Sequence, residues 1–244
     1  MALNIQKTND LKQPHWHGLL YGPPKTGKTT FCATLPKPLI LSMDEEGMQS
    51  LRNQDLAFIE ILDWITLQDL VNKVERSCKD GKFTIEGQEF ESLIFDPLNM
   101  MQTLLHKTYT VNGKSLTLPD RGAANDKLTN VVRRICRFQC HTLFTCLERL
   151  DKDELTGRVK AGLDLSPAIM RSFPAIVSFV WHTVVENKGG GKVAYKIATA
   201  TEGYYEAGGR YAGQVVPPRV ESDFGKLYEY VTRGQIKGGT DGKV

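Results

Sequence analysis

Residues 22–29 read Gly22-Pro-Pro-Lys25-Thr26-Gly27-Lys28-Thr29, two glycines, a lysine and a threonine at G-x-x-x-x-G-K-[ST] spacing. The chemistry of that spacing is the holding of a polyphosphate. Gly22 and Gly27 allow backbone angles and close approach that a Cβ would obstruct, so successive N–H groups can curl around a phosphate. Lys28 opens the following helix and reaches the β- and γ-phosphates, while the Thr29 hydroxyl is placed to ligate Mg²⁺. The helix N-terminus adds its partial positive charge. Gly22, Pro23, Pro24, Lys25, Thr26, Gly27, Lys28, Thr29 and Thr30 are therefore the candidate nucleotide-binding residues, with ATP as ligand and Lys28 also a candidate catalytic group.

Two further carboxylate positions fit this chemistry. Leu93-Ile-Phe-Asp96 is an apolar run ending in an aspartate, so Asp96 would hold Mg²⁺ opposite Thr29, directly or through water. Asp44-Glu45-Glu46 follows another apolar run. Hydrolysis needs a group that orients water for in-line attack on the γ-phosphate, and a carboxylate on a strand beside the phosphate loop can supply it. Which of the three points inward stays open, as does a solvated turn that caps the next helix. Thr145 and Glu148, near the end of a later apolar run, are candidates to sense the γ-phosphate.

These residues need strands that end at one edge. Residues 16–21 read as a buried strand and 29–34 as the helix after the loop, stopping before Pro36. Residues 38–43 form a second strand, and 63–77 carry Ile65, Leu67, Leu70, Val71 and Val74 at helical spacing. A short hairpin is expected over 83–90, a strand over 92–96 and a helix over 98–109. A polar loop covers 110–126, a helix 126–139 and a strand 141–147, with a second polar loop over 149–165. A helix follows Pro167, and two strands flank the turn at 187–192, whose Gly189-Gly-Gly191 run reads as a hairpin tip. Residues 1–14 read as a polar lead-in and 233–244 as a frayed tail around a core at 15–232. Strands alternating with helices predict an α/β fold with a mostly parallel sheet covered on both faces, its ligand at the carboxyl ends of the strands.

The bulk composition sets limits. A chain of 244 residues, 41% hydrophobic and 24% charged, suits one soluble domain with a sizeable core. A net charge of +3 confines any nucleic-acid surface to a local patch. No apolar run is long enough to span a bilayer, and the first residues lack a signal peptide's apolar core, so a cytoplasmic protein without membrane contact is expected. Five irregularly spaced cysteines, Cys136, Cys140 and Cys146 among them, read as reduced, buried thiols rather than a zinc set. His15 and His17 read as edge positions, and Trp64 and Trp181 as core or interface.

The order YGPPKTGKTTF, LILSMDEEG, LIFDP, HTLFTCLE and EAGGRYAG resembles the phage-encoded, core-only relatives of the RecA recombinases, the single-strand annealing ATPases of that lineage. The resemblance spans residues 15–232, and its one highly specific motif is the phosphate loop. It implies a RecA-like P-loop fold that binds ATP and single-stranded DNA and pairs complementary strands, beside a single-strand DNA-binding protein. It also implies a homo-oligomeric ring or filament with ATP at subunit interfaces, in the host cytoplasm. The same match makes Asp44 the catalytic carboxylate in closest register, with Glu45 next, and Arg210 the candidate trans-acting cationic finger. Two positions depart from the family: Thr-Cys-Leu stands where relatives often carry Thr-x-His, and Gly-Gly-Arg210 where Lys-x-Arg is common.

DNA contact would come from the two polar loops, the first with Lys107, Tyr109, Lys114 and Arg121, the second with Arg149, Lys152, Arg158 and Lys160. Arg133, Arg134 and Arg137 form a further basic cluster or a solvated helix face. Two other functions remain open on the sequence: a nucleotide-gated loader or scaffold without turnover, and a small-molecule phosphotransferase. Residues 149–160 make a poor arginine-rich lid for the latter.

Overall fold

The structure, a computed structural model, describes residues 15–232 apart from 45, 80, 111–114, 155 and 212. The expected lead-in at 1–14 and tail at 233–244 lie outside the described residues. In chain order the elements are β1 (His17–Gly22), α1 (Lys28–Cys32), β2 (Pro38–Ser42), β3 (Ala57–Glu60), α2 (Trp64–Lys79), β4 (Phe83–Ile85), β5 (Gln88–Phe90) and β6 (Ser92–Asp96). There follow α3 (Leu98–Tyr109), α4 (Leu118–Ile135), β7 (His141–Lys152), β8 (Val159–Leu163), α5 (Pro167–Ile176), β9 (Phe179–Gly189), β10 (Lys192–Ala198), β11 (Gly208–Gly209), β12 (Arg219–Glu221) and α6 (Phe224–Thr232).

A ten-stranded sheet runs in the order β12-β10-β9-β1-β7-β6-β2-β3, with β8 on β7 and β11 on β9. From β3 to β9 every neighbour is parallel, and β10 and β12 close that side antiparallel. The strands are apolar along almost their whole length because both faces are covered. Alternation sorts their side chains. Leu19, Leu39, Leu41, Leu93, Phe95 and Phe144 join the layer of α2, α3, α4 and α5, while Leu20, Ile40, Ile94 and Leu143 join Phe31 of α1 and Phe224 of α6. Each such fully buried side chain contributes about 1.5–3 kcal/mol. This is a mostly parallel α/β layout, with the phosphate loop between β1 and α1 and a C-terminal antiparallel hairpin of β9 and β10. One detail of order governs the site: β7 lies between β1, which feeds the phosphate loop, and β6, which ends in Asp96.

Several elements differ from the sequence reading. Residues 149–165 are not a free loop: β7 continues to Lys152 and pairs with β8 as an antiparallel ribbon, Glu148 opposite Leu163 and Lys152 opposite Val159. Cross-strand hydrogen bonds outweigh the polar composition there. Helix α4 starts at Leu118 rather than near 126, because Thr117 and Asp120 close a capping box in front of Pro119. Arg121 consequently sits on α4, Lys107 and Tyr109 close α3, and Lys114 lies outside the described residues. Strand β3 and helix α6 have no counterpart in the sequence reading. Trp64 and Trp181 are buried, the five cysteines are free, and Cys136 alone of them is half-buried. No helix among the described residues is long and apolar enough to cross a membrane.

Candidate functional site

Gly22 ends β1 with φ 152°, and a Cβ there would stand 2.1 Å from the Thr183 hydroxyl on β9. That hydroxyl lies 2.6 Å from Thr26 Oγ1, which donates to the Pro23 carbonyl at 2.7 Å. The loop is thus fastened to its neighbouring strand by a chain of hydroxyls. Lys25 takes φ 64° and Gly27 φ 86°, and Gly27 caps α1 with its backbone, its carbonyl accepting from Phe31 N–H at 2.9 Å. Pro24, Lys25 and Thr30 are exposed on the rim.

Lys28 is buried, and its ammonium donates to the Gly22 carbonyl at 2.9 Å and the Pro23 carbonyl at 2.6 Å. Burial lowers its pKa, opposed mainly by the field of Asp96. A buried cation held by two carbonyls inside its own loop is suited to an anion that displaces them.

Asp96 closes β6 and is buried. Its Oδ2 accepts from the Thr29 hydroxyl at 2.9 Å, and its Oδ1 from the Thr145 hydroxyl of the intervening strand β7. Burial pushes its carboxyl up, while those two hydrogen bonds and Lys28 pull it down. A hydroxyl has one proton and two lone pairs, so Thr29 can give its proton to Asp96 and keep lone pairs for a cation. The residues therefore fit Mg²⁺ of the kind held by one or two protein oxygens, phosphate and water. Among the described residues no group of three or more His, Cys, Asp or Glu side chains suits a metal cage.

The other expected residues are placed less tightly. Asp44, just past β2, is exposed; its carbonyl accepts from Ser42 Oγ and Gly47 N–H, and its Oδ1 from Glu46 N–H at 3.3 Å. Its charge raises the Asp96 carboxyl, which puts it in electrostatic reach of the Mg²⁺ position. Glu46 is exposed, and Glu45 lies outside the described residues. Arg210 is not beside the phosphate loop of its own chain: it follows β11, and its Nη2 donates to the Ala175 carbonyl of α5 at 3.2 Å. Arg134 is held by Glu75 and Asn72, and Arg133 and Arg137 are exposed.

Three features were not legible as site residues. Thr183 abuts Gly22 from 161 positions downstream. His182, opposite Tyr21 on β9, meets Glu148 of β7 at 2.7 Å with both side chains buried, and stacks on Tyr205 at 4.3 Å. Tyr195 of β10 covers Gly27, so a Cβ there would lie 3.2 Å from its ring. Beside it a cavity of about 350 Å³ is lined by Gly27, Thr30, Tyr195 and Lys196.

No curated protein sequence matches the chain. Among solved structures, the chain is similar to the flagellar accessory protein FlaH from Methanocaldococcus jannaschii, at 12% identity over 84% of each chain with a TM-score of 0.44. Residues 15–211 match the model of the family described as "AAA domain". That span holds the phosphate loop, Asp96, Thr145 and the Glu148–His182 pair, and with them the capacity to bind a nucleotide. The chain belongs to the AAA domain family.

Proposed function

We propose that this protein is an Mg²⁺-dependent ATPase that binds single-stranded DNA and promotes the pairing of complementary strands. The observation that carries the nucleotide chemistry is the convergence of Lys28, Thr29 and Asp96 at one sheet edge. The loop N–H groups and Lys28 would hold the β- and γ-phosphates, and Thr29 and Asp96 the metal, which neutralises charge on the transferring phosphoryl group. Asp44, or Glu45 beside it, would orient the attacking water. The cavity beside Gly27, with Thr30 and the Tyr195 ring, has the place and the flat apolar wall for the base.

DNA binding is supported by the β7–β8 ribbon, which carries Arg149, Lys152, Arg158 and Lys160 away from the sheet edge that holds the phosphate loop. A homo-oligomeric ring or filament, with Arg210 reaching a neighbour's nucleotide and a single-strand DNA-binding protein alongside, completes the reading, as does action in a phage-infected cytoplasm without membrane contact. The test is the ATPase rate of wild type and Lys28→Ala, with and without single-stranded DNA. The expected result is stimulation by DNA in wild type and loss of turnover in the variant. Absence of DNA binding at low salt, with and without ATP, overturns it.

One observation favours a second reading. Asp44 is exposed and, among the described residues, hydrogen-bonded only within its own turn, so nothing there fixes it for attack on a phosphate. A nucleotide-gated loader, with tight ATP binding and negligible turnover under every DNA condition, is the outcome that would favour it.

A further inference from the structure

A cavity larger than the one beside Gly27 lies away from the phosphate loop. It encloses about 720 Å³ on the helix-rich face, between α5, the β7–β8 ribbon and the strap 201–210, whose β11 pairs antiparallel with β9. Its floor is apolar, with Val180, Met170 and Pro174. Its rim carries Arg171 and Arg210, and neither guanidinium meets a carboxylate among the described residues. Arg171 Nε donates to the Pro167 carbonyl and Arg210 Nη2 to the Ala175 carbonyl, which leaves most of their donors free. The third rim cation, Lys160, is already paired with Glu206 at 2.6 Å.

We infer that this cavity binds a nucleotide unit, its base against the apolar floor and its phosphate on Arg171 and Arg210. Two free guanidiniums at the mouth of an apolar hollow call for an anion joined to a flat apolar body, and arginine forks match phosphate oxygens. The volume lies in the range of small-molecule sites and exceeds what one base needs. The β7–β8 ribbon, which carries exposed Lys152 and Arg158 beside Asp151, Asp153 and Glu154, runs from the same rim, so a strand lying along it can deliver an unstacked base into the hollow. The strap is also tied to the nucleotide end of the sheet: Tyr21 Oη donates to the Glu206 carbonyl at 2.6 Å and accepts from its N–H at 2.9 Å, while Tyr205 stacks on His182. The inference rests on the reading of the protein as a single-strand binder.

The same chemistry can come from a strand or from a free mononucleotide. The test is fluorescence anisotropy of a labelled twelve-residue oligothymidylate over a salt series, with dTMP as competitor, for wild type, Arg171→Ala, Arg210→Ala and Arg171→Lys. Both arginines are exposed, so melting temperatures should stay at the wild-type value. Each alanine variant should bind about tenfold more weakly, and the slope of log K against log salt should fall by about 0.7 for each phosphate contact removed. Arg171→Lys should keep the salt slope and lose part of the affinity. An oligomer carrying 4-thiothymine should crosslink to Met170 or to the strap. Oligomer affinity far above that of dTMP identifies a strand as the source, and equal affinity a free nucleotide. If wild type binds neither probe, this inference and the DNA reading both fall. If wild type binds and the alanine variants match it in affinity and salt slope, the cavity alone is overturned. The same holds if the variants change only the oligomeric mass, which would make the cavity a protein interface.

Discussion

The His182 imidazole and the Glu148 carboxylate lie 2.7 Å apart, both buried, on β9 and β7, the strands that flank the phosphate-loop strand. Burial lowers the His182 pKa and Glu148 opposes that shift. The other ring nitrogen, Nδ1, has no partner among the described residues. The pair therefore depends on itself, and on the Tyr205 ring stacked over it.

Removing either partner should cost stability unequally. Glu148→Ala leaves a neutral imidazole without its acceptor, a loss of about 1–3 kcal/mol. His182→Ala strands a buried carboxylate and the Tyr205 ring, at about 3–5 kcal/mol. Denaturant melts of both singles and the double should show a double far less destabilised than the sum. Strict additivity would mean that the two side chains do not support each other.

Lys28 supports the ligand rather than the fold. Its ammonium is buried against two carbonyls and its pKa is lowered, so Lys28→Met should leave the melting temperature of the nucleotide-free protein unchanged or higher. ATP affinity should fall by about 2–3 kcal/mol, roughly 30- to 150-fold. Calorimetric titration and thermal melts of the same preparation separate the two effects. A large drop in melting temperature would contradict this account.

Thr145 tunes Asp96 through a hydrogen bond that lowers the carboxyl pKa against the upward pull of burial. Thr145→Val removes it, so the Asp96 pKa should rise. Functions that require the ionised carboxylate then fail at higher pH than in wild type. The acid limb of Mg²⁺-dependent ATP turnover should move toward alkaline pH, with the Mg²⁺ requirement increased most on the acid side of the profile. An unshifted profile would show that Asp96 does not act through its charge.

Gly22 is required by both conformation and space. At φ 152° and with the Thr183 hydroxyl 2.1 Å from any Cβ, Gly22→Ala should destabilise by about 1–3 kcal/mol and weaken nucleotide binding. Adding Thr183→Ala removes the clash but not the backbone strain, so the double should recover part of the stability. Full recovery would mean that strain at Gly22 is negligible.

At the opposite edge of the sheet, burial brings His17 and His141 down to about 4. His141 Nδ1 accepts from Trp16 N–H at 3.2 Å, an acceptor role that protonation abolishes, and His17 Nδ1 lies 2.7 Å from the Thr142 hydroxyl. His15 lowers both, and Glu91 raises His141. The unfolded chain takes up protons near pH 6.5 and the folded chain only near 4, so stability should fall as pH drops through that window. The loss should reach a few kcal/mol, on the order of 1.4 for each pH unit and histidine. His141→Gln should flatten the dependence, and a wild-type stability constant from pH 7 to 4 would refute it.

The sequence by itself determined the phosphate loop, the strand ending in Asp96 and the α/β alternation. Each of these is local: a glycine at a strained turn, an apolar run with a carboxylate at its end, a helical period. Local signals failed where partners decide. Residues 149–165 read as a polar loop because charged and polar side chains dominate the segment, and only the pairing of β7 with β8 makes strands of its two arms and puts Ala161 and Leu163 in the core. Strand order was not legible either, and it alone sets Asp96 between the Thr29 and Thr145 hydroxyls and brings Glu148 to His182 from 34 residues away. Arg210 was named through the family resemblance as a finger acting in trans, and only the tertiary structure shows where its own chain holds it, on α5 at the rim of a second cavity. A sequence carries the conformational preferences of its own neighbourhood. Which distant groups share a site follows from the order in which parallel strands pack, because only burial of both sheet faces selects that order.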